Sequence, residues 1–134
     1  MICQNETLPV YEEADLVLAR HKVRIYAKDV GLGLVDETKL ITAASELARN
    51  MLLYAGGGKV SVEFVTTNDA KGVRISFEDH GNGIKDLSLA LTDGYSSSNG
   101  LGLGLPGARR LVDEFDIKSQ LGEGTLIVIT KWKR

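Results

Sequence analysis

The chain has 134 residues, 43% of them hydrophobic and 25% charged, with a formal net charge of -2 and a pI of about 5.7. That composition suits one globular domain with one core; the slight negative charge argues against nucleic acid as a partner, and no apolar run approaches the ~20 residues of a bilayer span. Cys3 is the single cysteine and can form no internal disulfide, and the first ten residues lack the basic and apolar regions of a signal peptide, so a cytoplasmic protein away from membranes is expected.

"TLPVY" (residues 7–11) reads as a short first strand, sent to a sheet edge by Pro9. Over residues 13–30, Leu16, Ala19, Val23, Tyr26, Ala27 and Val30 recur at helical spacing, and "GLGLV" (residues 31–35) ends that helix and turns the chain. Asp36 can cap a second helix whose inward face is Leu40, Ala43, Ala44, Leu47, Met51 and Tyr54. "AGGG" (residues 55–58) stops it. Residues 59–67 and 73–79 alternate as half-buried strands around the turn "NDAKG" and form a hairpin. Residues 86–91 are expected to form a short helix, and the polar, unpatterned residues 92–99 a loop. A third helix is predicted over residues 105–115, with Leu105, Ala108, Leu111 and Val112 inward. "FDIKS" and "TLIVITKW" make two last strands around "LGEG". The order β-α-α-β-β-loop-α-β-β predicts one domain over residues 1–134. Its class is α/β, a two-layer sandwich with a mixed sheet and helices on one face.

Three groups of residues could carry chemistry. Glu46 and Asn50, four apart on the second helix, fall roughly 40° apart on a stripe bordering the core. A carboxylate and an amide there suit a hard cation with its waters, or a proton acceptor for an attacking hydroxyl. The same pair also fits a solvated helix flank, and Arg49 points to solvent. In "EDHGNGI" an acidic residue, Asp79, ends a strand before Gly81 and Gly83. Such a turn lets backbone approach a planar ligand while the carboxylate accepts from an amino group, although a plain capped turn has this form too. His80 reads as a turn spacer, because no second ligand gives metal spacing.

The third group is "NGLGLGLPGARR", with glycines at 100, 102, 104 and 107 approaching a helix that Pro106 starts. Permissive backbone at a helix start can cradle an anion, or serve only as a hinge. "GLGLPG" has the dinucleotide spacing G-x-G-x-x-G but lacks a strand before it, and no Lys-Ser or Lys-Thr follows as in a P-loop.

Taken in order, Glu-x-x-x-Asn, Asp-x-Gly-x-Gly, Gly-x-Gly-x-Gly and "GEGT" resemble the four boxes of the GHKL ATPase superfamily, which includes gyrase, Hsp90, MutL and histidine kinase catalytic domains. Within it the chain is similar, over nearly its whole length, to the small bacterial partner-switching serine/threonine kinases, above all the T-type stressosome switch kinases of the general stress response. The resemblance implies the Bergerat fold and an ATP- and Mg²⁺-dependent protein kinase. Glu46 would then orient or deprotonate the attacking hydroxyl, Asn50 would hold Mg²⁺, and Asp79 would read the adenine amine. Thr125 would support the base with water; Gly81, Gly83 and Ile84 would shape its pocket. Gly100, Leu101, Gly102, Leu103, Gly104 and Leu105 would form the phosphate cradle, and residues 86–99 the lid over ATP. The implied phosphoacceptor is a serine or threonine of a STAS-domain anti-anti-sigma or stressosome scaffold protein, with a PP2C-type phosphatase as the second partner. The alternatives are an anti-sigma factor that sequesters a sigma factor, or a histidine kinase catalytic fragment with His21 on its first helix.

Overall fold

The computed structural model describes residues 4–81 and 105–134. The expected short helix and loop over residues 86–99 lie outside them. Along the chain run β1 (Asn5–Val10), α1 (Glu13–Val30), α2 (Leu34–Ala55), β2 (Gly58–Thr66), β3 (Lys71–Asp79), α3 (Leu105–Leu111), β4 (Glu114–Gln120) and β5 (Gly124–Trp132). The strands form one five-stranded sheet in the order β1-β2-β3-β5-β4. The α/β two-layer class holds, but among the described residues the sheet is antiparallel in all four ladders where a mixed sheet is expected. Two helices separate β1 from β2, so the chain re-enters the sheet reversed. β4 does run parallel to β3, yet β5 folds back between them, and no parallel pair forms among the described residues.

Alternation places Val60 and Val62, Val73, Ile75 and Phe77, and Ile127 and Ile129 on one face, where they share a core with Leu16, Val23 and Tyr26 of α1 and Leu40, Leu47 and Met51 of α2. Tyr26 is fully buried, stacks on Phe64 with ring centroids 4.5 Å apart, and donates its hydroxyl to Glu6 of β1 at 3.0 Å. β1 is thus pinned to α1 at the edge that Pro9 announces.

Three local expectations need correction. α2 begins at Leu34, with Gly33 as its N-cap; Asp36 caps nothing and lies inside the first turn. There its charge suits the positive helix end, and it pairs with Lys131 Nζ at 3.4 Å. Tyr54 is 41% exposed, because the inward stripe of α2 ends at Met51 before the chain leaves the sheet. α3 stops at Leu111 instead of running to residue 115, and Phe115 lies in β4, where the predicted strand "FDIKS" places it. Asp113 breaks the helix: its N–H donates to the Thr130 carbonyl at 3.0 Å, and its carboxylate accepts the Trp132 N–H at 2.7 Å.

Candidate functional site

One end of the sheet collects most of the described candidates. Asp79 closes β3 on the helix-facing side and lies in register with Thr125 of β5. Both are half-buried. The Gly81 N–H donates to Asp79 Oδ1 at 2.9 Å, a side-chain turn that fixes the carboxylate. His80 stands exposed just past the strand.

Two glycines bring this end together. A Cβ on Gly81 would lie 2.8 Å from Ala55 Cβ, so α2 ends directly on the turn after β3. A Cβ on Gly124, whose φ is +127°, would overlap the Asp79 carbonyl oxygen and lie 2.8 Å from His80 Cα. The "GEGT" glycine is therefore what lets β5 close against Asp79. At 1.5 Å per residue, Asn50 lies about 7 Å and Glu46 about 13 Å back along α2 from Ala55. Asn50 is half-buried and Glu46 exposed, on the helix flank away from α1. Arg49, on another side of α2, pairs with Glu13 of α1 at 3.6 Å and is 44% exposed.

A cavity of about 280 Å³ opens at this end, lined among others by Asp79, Thr125, Ser119, Gly124, Lys118 and His80. Ser119 Oγ lies 2.9 Å from Thr125 Oγ1 and donates to the Gly124 carbonyl at 3.1 Å. Sequence reasoning missed Ser119. The hairpin turn was the available signal, since closing it sets Ser119 opposite Thr125. Leu105 is buried at the start of α3. Gly83, Ile84, Gly100, Leu101, Gly102, Leu103 and Gly104 lie outside the described residues.

At the opposite end of β5 stands a second feature that sequence reasoning missed. Lys131 is 5% exposed, and its ammonium lies 3.4 Å from Asp36 and 3.5 Å from Asp113. Arg134 also reaches Asp113. Burial pushes the Asp113 carboxyl up, but the Trp132 N–H, Arg134 and Lys131 outweigh it and hold the pKa below the ordinary value. One buried cation so fastens the first turn of α2 and the exit of α3 to the sheet. Among the described residues no group of three His, Cys, Asp or Glu side chains is arranged to hold a metal. No helix among them is long and apolar enough to cross a membrane.

Comparison with known proteins agrees with this layout. The chain is 49% identical over 125 residues to serine/threonine-protein kinase RsbT of Bacillus subtilis, covering 93% of this chain and 94% of that protein. The anti-sigma F factor of Caldanaerobacter subterraneus subsp. tengcongensis is 26% identical over 121 residues, 85% of this chain and 82% of that one. Two solved structures share the fold. A chain in the SiaB–SiaC complex from Pseudomonas aeruginosa superposes with a TM-score of 0.56 at 15% identity, over 96% of this chain and 88% of that one. The catalytic domain of histidine kinase ThkA, in a nucleotide-free form, gives 0.55 at 13% identity, over 98% and 99%. The family model for histidine kinase-, DNA gyrase B- and HSP90-like ATPases matches residues 35–134, from the first turn of α2 to the end of β5 and beyond. The chain belongs to that ATPase family.

Proposed function

We propose that this domain, spanning residues 1–134, is an ATP-dependent serine/threonine protein kinase that phosphorylates a STAS-domain partner and exchanges it for a phosphatase of the PP2C type. The observation that carries the proposal is the 49% identity with RsbT, a serine/threonine kinase, along almost the full length of both chains.

In this proposal Asp79 accepts from the adenine amine through Oδ2, the oxygen not taken by Gly81. Thr125, its neighbour across β3 and β5, supports the same edge of the base. Gly81 and Gly83 let the backbone approach the ring beside Ile84. Residues 100–105 are assigned to the phosphates. Mg²⁺, when bound, neutralises charge on those phosphates. Asn50 offers it one amide oxygen, which fits an ion that keeps most of its ligands as water and phosphate. Glu46, one turn earlier on α2 and open to solvent, meets the incoming hydroxyl. The serine or threonine oxygen attacks the γ-phosphorus, the bond to the β–γ bridging oxygen breaks, and ADP leaves. Glu46 takes the hydroxyl proton. The chemistry asks the fold mainly to hold these groups in place, and the close approach of Gly81 to Ala55 at the end of α2 supports that reading.

A second reading, an anti-sigma factor that chiefly sequesters a sigma factor, is favoured by the 26% identity with an anti-sigma F factor. Labelled ATP, Mg²⁺ and a STAS-domain protein separate the two. The kinase reading expects stable phosphate on a serine or threonine of the STAS protein. No transfer, together with tight capture of a sigma factor, would favour the other.

A further inference from the structure

We propose that the free edge of β4 is a self-association surface, on which a second copy of this chain pairs β4 with β4 antiparallel, centred on Ile117, so that one sheet runs through both copies. The inference goes beyond the kinase reading and does not rest on it.

The sheet order leaves β1 and β4 with one neighbouring strand each. An edge strand presents a row of unpaired N–H and C=O groups, the usual opening for strand addition. β1 is guarded: Pro9 has no N–H to give, and Glu6 is taken up by Tyr26 and Lys22. β4 carries no proline, and among the described residues it pairs with β5 alone. Its burial alternates. Phe115 and Ile117 pack partly against the core, and Glu114, Asp116, Lys118 and Gln120 are exposed on the sheet face away from the helices.

The order of charge along β4 selects the occupant. Under a two-fold axis normal to the sheet, residues equally far from the centre on either side face each other, and side chains keep their face. Centred on Ile117, Asp116 of each copy lies opposite Lys118 of the other. Ile117 meets its own mate, which covers the side chain that the edge leaves half-buried. Neither the Asp116 carboxylate nor the Lys118 ammonium makes an ion pair or side-chain hydrogen bond among the described residues, so both charges are available. Glu114 accepts from Trp132 Nε1 and lies 3.9 Å from Arg74, and in this register it faces the neutral Gln120. Moving the centre to Asp116 sets two aspartates face to face, and moving it to Lys118 sets two lysines. Opposite charges attract and like charges repel across such a ladder, so the strand's own sequence favours one register and opposes its neighbours. Seven paired residues fall short of the ~1,200 Å² of a stable interface, so the dimer is expected to be weak, with a dissociation constant on the order of 100 µM.

Sedimentation equilibrium of the nucleotide-free chain, from ~10 µM to ~1 mM at low salt, reads the association. Wild type is expected to pass from monomer to dimer over that range. Lys118→Glu sets carboxylates against each other at both ion pairs, and Asp116→Lys sets ammonium groups against each other. Each is expected to weaken the dimer by at least about tenfold. Both positions are exposed, and circular dichroism confirms that the variants are folded. An equimolar mixture of the two single variants is expected to associate again, because each copy then offers the charges that the other lacks. The exchange Asp116→Lys with Lys118→Asp in one chain is expected to restore the dimer as well. A wild type still monomeric at ~1 mM overturns the inference. So does a dimer that the single variants leave unchanged, which lies on another face, or a mixture that fails to associate.

Discussion

Gly124→Ala is expected to strike fold and site together, and a glycine two residues away supplies its control. Gly124 has φ +127°, and a methyl there would overlap the Asp79 carbonyl oxygen while lying 2.8 Å from His80 Cα and 3.0 Å from the Asp79 carbonyl carbon. These are backbone atoms and cannot swing aside, so β3 and β5 must part at Asp79 and Thr125. Backbone strain of ~1–3 kcal/mol and a similar overpacking cost together come to about 2–6 kcal/mol. That is a large share of the ~5–15 kcal/mol that holds a domain of this kind together. Gly122 also has positive φ, +84°, but a methyl there meets nothing within 4 Å. Gly122→Ala therefore carries only the strain of a left-handed alanine, ~1–2 kcal/mol. Urea unfolding of both variants beside wild type gives the stabilities, and ADP titration of the folded proteins gives the affinities. Gly124→Ala is expected to lose more stability than Gly122→Ala and to bind ADP at least about tenfold more weakly, since its damage falls on the base-reading pair. Equal stability losses, or a destabilised Gly124→Ala with undiminished ADP affinity, would refute the reasoning.

Three other variants probe separate parts of the account. Glu46→Ala is expected to keep ADP affinity within a few fold and to lose phosphoryl transfer by at least ~100-fold, the usual reach of a general base; labelled-ATP transfer to a STAS protein measures it, and undiminished transfer removes Glu46 from the mechanism. Asp79→Asn can keep the Gly81 contact through Oδ1 but turns an amide N–H toward the base. ADP affinity is expected to drop ~100-fold by calorimetry with little change in the urea midpoint; equal loss of both would make Asp79 a turn residue only. The third concerns acid. Asp113 is held below the ordinary aspartate pKa of 3.8 in the folded chain, against the push of burial, by the Trp132 N–H, Arg134 and Lys131. A carboxyl whose folded pKa is depressed contributes stability above its unfolded value, and that contribution is lost as pH falls through the folded one. Asp113→Asn is expected to be less stable than wild type at neutral pH and to show a flatter decline below about pH 4; urea midpoints across that range check it, and parallel declines would contradict it.

The elements most legible in the sequence were those whose pattern and packing agree. The β2–β3 hairpin was read from alternation at nearly its observed bounds. α1 was read from helical spacing and ended by Gly31, which has φ +93°. The order of the boxes pointed to the family that the comparisons show. What sequence could not supply was long-range. Strand order was hidden because β5 returns between β3 and β4. Asp36 looked like a cap because nothing local reveals that Lys131, on the last strand, lies against it. The sequence reading puts Phe115 both at the end of a helix and at the start of the strand "FDIKS", and the bonds of Asp113 to Thr130 and Trp132 are what end the helix before it. Ser119 went unnoticed for the same reason: its importance comes from register with Thr125, not from a motif.

The central claim is that a nucleotide base is read between Asp79 and Thr125, beside α2. Titration of ¹⁵N-labelled protein with Mg²⁺-loaded ADP, followed amide by amide by NMR, tests it most directly. The account predicts saturable shifts that are largest at Gly81, Ser119 and Thr125 and extend along α2 to Asn50. Shifts centred on the opposite face of the sheet, around Arg74 and Thr130, or no saturable shifts at all, would contradict it.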